Sequence, residues 1–293
     1  MMGAATALPT VGGVLGAAIA RLTAAGVPEP RADAEILLAH ALGTTRAGVV
    51  AACRDLLPVH AAVAFEAVLA RRAAREPLQY LVGEREFWSL PLAVDRRALI
   101  PRPETELVVE TVLRVAGDAR CIVDVGTGSG AIALALARAL PAAAVWASDV
   151  DPEALAVAHA NLARHAPRVR LVCGDLLAAF RPCTVDVVAS NPPYVAEAEH
   201  AGLAPEIRDH EPARALRAGP DGLAVLRRLV ADAPDVLVPG GWLIVEMGAG
   251  QADAVGSAIV RDGRYAAVRT VEDHAGMERV LVARRGRGRW TRS

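Results

Sequence analysis

Asn191-Pro192-Pro193-Tyr194 sets a carboxamide and a phenol ring on either side of two prolines. The motif follows Val185-Asp186-Val187-Val188-Ala189-Ser190, an apolar run that reads as a buried strand. Neither proline can donate to a ladder, so the strand ends there and the turn is stiff. Asn191 and Tyr194 are then held in fixed directions at a strand's C-terminal end, the edge where open parallel α/β sheets bind ligands. A carboxamide can hydrogen-bond the edge of a planar amide or amine while an aromatic ring covers its face. Such a grip points to group transfer onto a planar nitrogen; the alternative is a proline-rich turn with an incidental tyrosine.

Three other strand ends carry chemistry. Asp124-Val125-Gly126-Thr127-Gly128-Ser129-Gly130 closes one strand and opens a helix. Its glycines let the backbone approach a ligand, and the helix start offers free N–H groups. Gly126, Gly128 and Ala131 also fit the dinucleotide fingerprint of a nicotinamide enzyme, and a tight ligand-free turn is a third reading. Asp149 follows the next strand, where an acid can accept both hydroxyls of a ribose. The neighbouring Asp151, ahead of Pro152, suits a helix N-cap better. Asp175 and Leu176 follow a third strand and could meet the amino group and face of an adenine, although Asp is also common as a loop cap. Together these places accommodate an amino-acid moiety on the glycines, a ribose on Asp149 and an adenine on Asp175-Leu176.

The elements that must position these residues read as follows. Residues 10–78 are helical in pattern, with segments near 14–22, 32–42, 46–56 and 58–75 and turns at Gly26-Val27-Pro28 and Gly43-Thr44-Thr45. Residues 87–94 look like a hairpin, and Pro103 opens a helix over 104–115. From residue 121, strands near 121–125, 144–147, 169–173, 185–190 and 242–246 alternate with helices near 131–140, 152–165, 224–233 and 251–261. Late strands near 266–271 and 279–283 complete the pattern. Such alternation implies a doubly wound parallel sheet.

Composition narrows the function. The chain has 293 residues, 53% of them hydrophobic, enough for two domains or one large core. All 32 basic residues are arginine, which a GC-rich genome explains. A formal net charge of −1 supplies no field for nucleic acid. Cys53, Cys121, Cys173 and Cys183 are far apart with no zinc spacing, so no metal is expected; Cys121 and Cys173 read as buried thiols in a reducing compartment. The first twenty residues or so lack a basic leader before their apolar stretch, so neither a signal peptide nor a membrane span is expected.

The four strand ends resemble a class I S-adenosylmethionine-dependent methyltransferase of the amino-group type. The flanks sharpen the likeness: Arg85-Glu86-Phe87-Trp88, Leu99-Ile100-Pro101-Arg102-Pro103-Glu104-Thr105-Glu106, Glu211-Pro212-Ala213, Gly219-Pro220-Asp221-Gly222, Pro239-Gly240-Gly241, then Glu246, Gly248 and Gln251. Over about residues 10–284 the chain resembles the protein-(glutamine-N5) methyltransferases that modify peptide chain release factors (PrmC/HemK). Asn-Pro-Pro-Tyr alone is shared with DNA and RNA amino methyltransferases.

The resemblance implies an S-adenosylmethionine methyltransferase fold with an N-terminal all-helical domain. The expected division is a substrate-recognition domain at 1–79, a hairpin linker at 80–100, a catalytic domain at 101–284 and a basic, mobile tail at 285–293. It implies methyl transfer from S-adenosyl-L-methionine, leaving S-adenosyl-L-homocysteine, to the glutamine of the Gly-Gly-Gln loop of class 1 release factors. Gly126, Thr127, Gly128, Ser129, Gly130, Asp149, Asp175, Leu176 and Asn191 would hold the cofactor. The family often carries an aromatic where Leu176 stands. Asn191, Pro192, Pro193 and Tyr194 would hold the glutamine, and Asn191, Pro192 and Tyr194 would act on it. Phe87 and the 101–106 stretch would line the mouth, with interdomain packing the other reading for Phe87 and Trp88. A cytoplasmic monomer acting on a protein is expected. The rival readings are methylation of another protein glutamine or of a nucleic-acid exocyclic amine, a non-catalytic cofactor-binding module, and a nicotinamide dehydrogenase.

Overall fold

The apolar runs and turn signals place most of the elements seen in the computed structural model, which describes residues 9–288. The chain divides into two compact units, Met1–Gly83 with Ala204–His210, and Glu84–Leu203 with Glu211–Ser293.

The first unit is helical: α1 (Val11–Ala24), α2 (Pro30–Leu42), α3 (Arg46–Ala51), α4 (Val59–Ala73) and α5 (Leu78–Val82). Side chains of Thr10 and Thr45 accept N–H groups at the starts of α1 and α3. Pro30 is the first residue of α2, a position its fixed φ suits. Gly43 ends α2 in the left-handed conformation. Leu22, Leu37, Leu38, Leu57 and Phe65 fill the core. The short helix at Pro205–His210, unanticipated in sequence, belongs to this unit. Its Glu206 accepts from Arg72 at 2.9 Å and from Arg75 at 2.6 and 2.7 Å, while Arg72 also reaches Asp33 at 2.7 Å. Burial works against the Glu206 carboxylate, yet the hydrogen bonds from Arg75 and Arg72 hold it down at about 2.

The second unit begins with a hairpin, β1 (Glu84–Phe87) and β2 (Leu90–Ala93), and a 3₁₀ turn at Pro103–Thr105 leading into α6 (Glu106–Ala116). Then follow β3 (Cys121–Val125), α7 (Ala131–Ala139), β4 (Ala144–Asp149), α8 (Pro152–His165), β5 (Arg170–Cys173) and β6 (Val185–Ser190). After α9 (Glu197–His200) and the helix of the first unit, here α10, come α11 (Ala224–Val236), β7 (Leu237–Glu246), α12 (Ala252–Asp262), β8 (Tyr265–Glu272) and β9 (Glu278–Arg285). The seven-stranded sheet has the order β5-β4-β3-β6-β7-β9-β8. Its first five strands are parallel, as expected; β9 and β8 join antiparallel.

Both sheet faces are covered, which is why β3 and β6 read as nearly continuous apolar runs. Ile122, Val187, Ala189 and Ile244 pack on one side against α6 and α7, whereas Val123, Val188, Leu243 and Val245 pack on the other with Leu226, Leu229 and Val255. The β7 ladder is broken after Leu237 and resumes at Trp242, because Pro239-Gly240-Gly241 makes an irregularity there. Asn161 of α8 joins the hairpin to the glycine turn. Its side chain accepts from Ala93 N at 2.7 Å and donates to Ala93 O and Ser129 O at 2.9 Å each.

Two expectations need correction. Cys173 is exposed, because β5 is the edge of the sheet, and Cys121, the first residue of β3, is only half-buried. The tail begins later than residue 285: Arg284 and Arg285 pair with β8, the Arg284 guanidinium lies 5.1 Å over the Trp242 ring, and Arg285 is buried. Residues 289–293 of the expected tail lie outside the described residues.

Candidate functional site

The sheet reverses its direction of growth between β3 and β6, and the C-terminal ends of those strands form its topological switch point. Val125 pairs with Ser190 there, and the Ser190 hydroxyl donates to Val125 O at 2.6 Å. Gly126 and Asn191 are therefore the next residues out, side by side. A cavity of about 480 Å³ opens at this edge, lined by Gly126, Gly128, Asp149, Asp175, Leu176, Asn191 and Pro193 among the expected residues. Further walls come from residues 97–99 and 212–215 and from Val225 and Arg228 of α11, among others.

Gly126 and Gly128 both have positive φ, and a Cβ on either would meet nothing within 4 Å. They face open cavity, as a ligand cradle requires. Gly130, at φ +85, is instead pressed against α8: its added Cβ would lie 3.4 Å from Ala158 Cβ. Thr127 and Ser129 are buried behind the turn, the Thr127 hydroxyl donating to Asp124 Oδ2 at 2.6 Å. That carboxyl also accepts from Ala133 N at 3.0 Å. Burial pushes Asp124 up to about 7, against the pull of these two bonds.

Asp149 is the last residue of β4. It accepts from Gly128 N and from Asp151 N at 2.9 Å each, so the acid and the glycine turn are fixed together. Burial raises its pKa, with these bonds opposing. Asp151 caps α8 through Glu153 N, as the sequence indicated. Asp175 differs: its side chain is more than half exposed and forms a 2.7 Å ion pair with Arg228. Leu176 beside it holds φ +48, a left-handed conformation costing a non-glycine residue about 1–2 kcal/mol.

Beyond β6, three polar groups of the Asn191–Tyr194 turn have partners in depth. Asn191 Nδ2 donates to Thr105 Oγ1 at 2.9 Å, and the Thr105 hydroxyl donates to Glu246 Oε2 at 2.7 Å. The Tyr194 hydroxyl donates to Glu246 Oε1 at 3.2 Å. Gln251 Nε2 donates to the Tyr194 carbonyl at 2.9 Å, while its Oε1 accepts from Gly248 N. Gly222, at φ +72, passes so close that a Cβ would lie 2.4 Å from Tyr194 O. Burial pushes Glu246 up to about 7, with Glu104 adding and Thr105, Tyr194 and Arg279 opposing. Burial also raises the Tyr194 phenol, and Glu246 raises it further, so it stays protonated.

Pro192 and Tyr194 stand in the turn itself, outside the cavity lining. Phe87 does not reach the cavity wall: it is 1% exposed in the core with Leu92 and Val108, since the hairpin turns its ring inward. The 101–106 stretch is anchored by Glu211, which accepts from Arg102 at 2.5 Å and from Ile100 N at 3.4 Å. Arg228, Asn161 and the linkage of Thr105 to Glu246 were not anticipated. The two members of that last pair stand 141 positions apart, and no local pattern joins them.

Comparison with known proteins decides the family. Residues 14–83 match the PrmC N-terminal domain, and residues 103–219 match the methyltransferase small domain. Release factor glutamine methyltransferases from Moorella thermoacetica and Geobacter sulfurreducens are 44% and 42% identical, covering 92% and 89% of this chain and 97% and 92% of their own lengths. The chain belongs to the release factor glutamine methyltransferase family. Its fold is shared more widely. A methyltransferase from Pyrococcus furiosus aligns at TM-score 0.51 and 22% identity over 75% of this chain and 98% of its own. The hMettl16 catalytic domain, solved with the MAT2A 3'UTR hairpin 6, aligns at 0.57 and 20% over 76% and 82%. These family and fold relations make the chain an S-adenosylmethionine-dependent methyltransferase, and the cradle described above suits that cofactor: open glycines, a fixed acid at the end of β4 and an apolar pocket by Leu176 and Val225. No helix among the described residues is long and apolar enough to cross a membrane.

Proposed function

We propose that this chain transfers a methyl group from S-adenosylmethionine to the side-chain amide nitrogen (N5) of the glutamine in the Gly-Gly-Gln motif of class 1 release factors. The observation that carries the reading is Asn191. It lines the cavity beside the glycine turn while its N–H end is committed to Thr105, so the end left for a substrate is an acceptor.

An amide nitrogen is a poor nucleophile because its lone pair is delocalised. Asn191 Oδ1 and the Pro192 carbonyl accept the two N–H groups of the glutamine amide and hold its nitrogen in line with the methyl carbon. Tyr194, kept protonated, packs on the amide plane. The bound cofactor supplies an electrophilic sulfonium methyl with a neutral thioether as its leaving group. The aligned nitrogen would take that methyl as the thioether leaves, and the amide proton would pass to water. Alignment of this kind is worth about 7–11 kcal/mol of barrier, so neither a strong base nor a metal has to be invoked.

Gly126 and Gly128 of the turn are assigned to the methionine moiety, with Thr127, Ser129 and Gly130 holding the turn from behind; Asp149 is assigned to the ribose hydroxyls, and Asp175 with Leu176 to the adenine. The helical unit is assigned to recognition of the release factor; its exposed Val50, Leu56, Val59 and Val63 offer apolar contacts. The reaction belongs to the cytoplasm, where release factors work, and needs one copy of the chain.

The test is labelled methyl transfer measured in parallel on a class 1 release factor, its Gly-Gly-Gln Gln→Ala variant, DNA and ribosomal RNA. Transfer to the first alone is expected. Transfer to a nucleic acid, or equal transfer to both release factors, refutes the proposal.

A further inference from the structure

We propose that Thr105 and Glu246 are positioning residues that decide which end of the Asn191 carboxamide faces the substrate. This deepens, and rests on, the glutamine reading above.

A threonine hydroxyl has one proton. Here it is given to Glu246 Oε2 at 2.7 Å, so towards Asn191 the same oxygen can only accept. What meets it is the N–H end of the carboxamide, at 2.9 Å. The other end, Oδ1, is thereby turned to the cavity. The direction of the whole chain is set at its far end, because an ionised carboxylate accepts and never donates. Glu246 receives Tyr194 on its second oxygen at 3.2 Å, so both oxygens hold donors and neither has reason to turn.

Other charges also face this carboxyl: Glu104, from the turn before α6, opposes ionisation and Arg279, from β9, favours it. A neutral Glu246 would reverse the logic. Its O–H could donate to Thr105, whose own proton would be free to point at Asn191 and draw Oδ1 inward. The substrate amide would then meet an N–H where it needs an acceptor. Burial sharpens the choice: Thr105 is 4% and Glu246 2% exposed, so water has little room to substitute for a missing partner.

The chain has only two asparagines, Asn161 and Asn191, so labelling asparagine with ¹⁵N gives two side-chain amides to observe. Asn161 is an internal control, its three hydrogen bonds lying elsewhere in the unit. The comparison is wild type, Thr105→Val and Thr105→Ser, all as the full chain with S-adenosylhomocysteine added.

In Thr105→Val the Asn191 amide signals should shift while those of Asn161 stay. The kcat for release-factor methylation should fall about 10- to 100-fold with KM changed far less. Thr105→Ser should recover most of both. Three results would overturn the inference: an unmoved Asn191 amide in Thr105→Val, equal movement of both amides, or an unchanged kcat. If wild type shows the expected amide pattern but methylates no release factor, the glutamine reading falls and the orientation of Asn191 stands.

Discussion

At one end of the cavity Asn191 leans on Thr105 and Glu246, both almost wholly shielded from water; at the other Asp175 meets Arg228 with more than half of each side chain exposed. The two ends follow strands β6 and β5, three strand spacings or roughly 14 Å apart. The buried end can hold one geometry because a lost hydrogen bond there is not replaced by solvent. The exposed end has a surface ion pair, of a kind worth about 0.2–1 kcal/mol and weakened by salt. The difference separates two tasks. On the proposed assignment, reaction geometry is set where water is excluded, whereas the end assigned to adenine can stay adaptable and tolerate a Leu at 176.

The sharpest way to break this contrast is Asn191→Ala. It should lower kcat by about 10²–10³-fold, the loss typical of one oriented polar group in an active site, with a much smaller change in S-adenosylhomocysteine affinity. Steady-state kinetics and calorimetry on the same sample check it. Similar losses in both would place Asn191 with cofactor binding alone.

Asp149→Asn should come next in size. A hydrogen bond to a charged group is worth about 1.5–3 kcal/mol, so affinity for S-adenosylhomocysteine should drop roughly 10- to 100-fold by calorimetry. Unchanged affinity would remove Asp149 from the ribose site.

Acidity should then divide activity from stability at the buried end. Glu246, raised to about 7, must be ionised to orient Asn191, so the rate should fall as pH drops below about 7. Stability moves the other way. A carboxyl raised on folding contributes most below its unfolded value near 4.5, and that contribution is lost as pH rises through about 7. Melting temperatures of Glu246→Gln and wild type between those values should therefore converge towards acid and separate towards neutral pH, with Gln the more stable. Asp124, also near 7, titrates in both and cancels. Parallel melting curves would contradict the assignment.

The smallest effect is expected from Arg228→Ala. Cofactor affinity should change only a few-fold and the change should shrink in high salt, as for any exposed pair. A large, salt-insensitive loss would mean the adenine end is as rigid as the other.

How much of this was legible in the sequence follows the same line between local and distant. The strand at Cys121–Val125, the helix at Pro152–His165 and the strand at Val185–Ser190 were readable because pattern and cap lie within them. The glycine turn and the Asn191 turn were readable for the same reason. The hairpin was placed late because its turn is Trp88-Ser89, both at positive φ, where Asn-Gly would be the usual sign. Glu106 holds that turn by accepting Trp88 N at 2.7 Å, a contact across 18 positions. The helix at Pro205–His210 was missed because its partners are Arg72 and Arg75, far back in the chain. Thr105 stood inside a quoted motif, yet its role depends on Asn191, 86 positions away. Asn161 carried the only other hint, as a lone amide on the inner face of an apolar helix.

The most direct test of the central claim is peptide mass spectrometry of class 1 release factors. They would be taken from cells lacking this protein and from the same cells supplied with wild type or with Asn191→Ala. The account predicts one added methyl group on the glutamine side chain of the Gly-Gly-Gln peptide with wild type only. The same peptide unmodified throughout, or modified equally in all three, would contradict it.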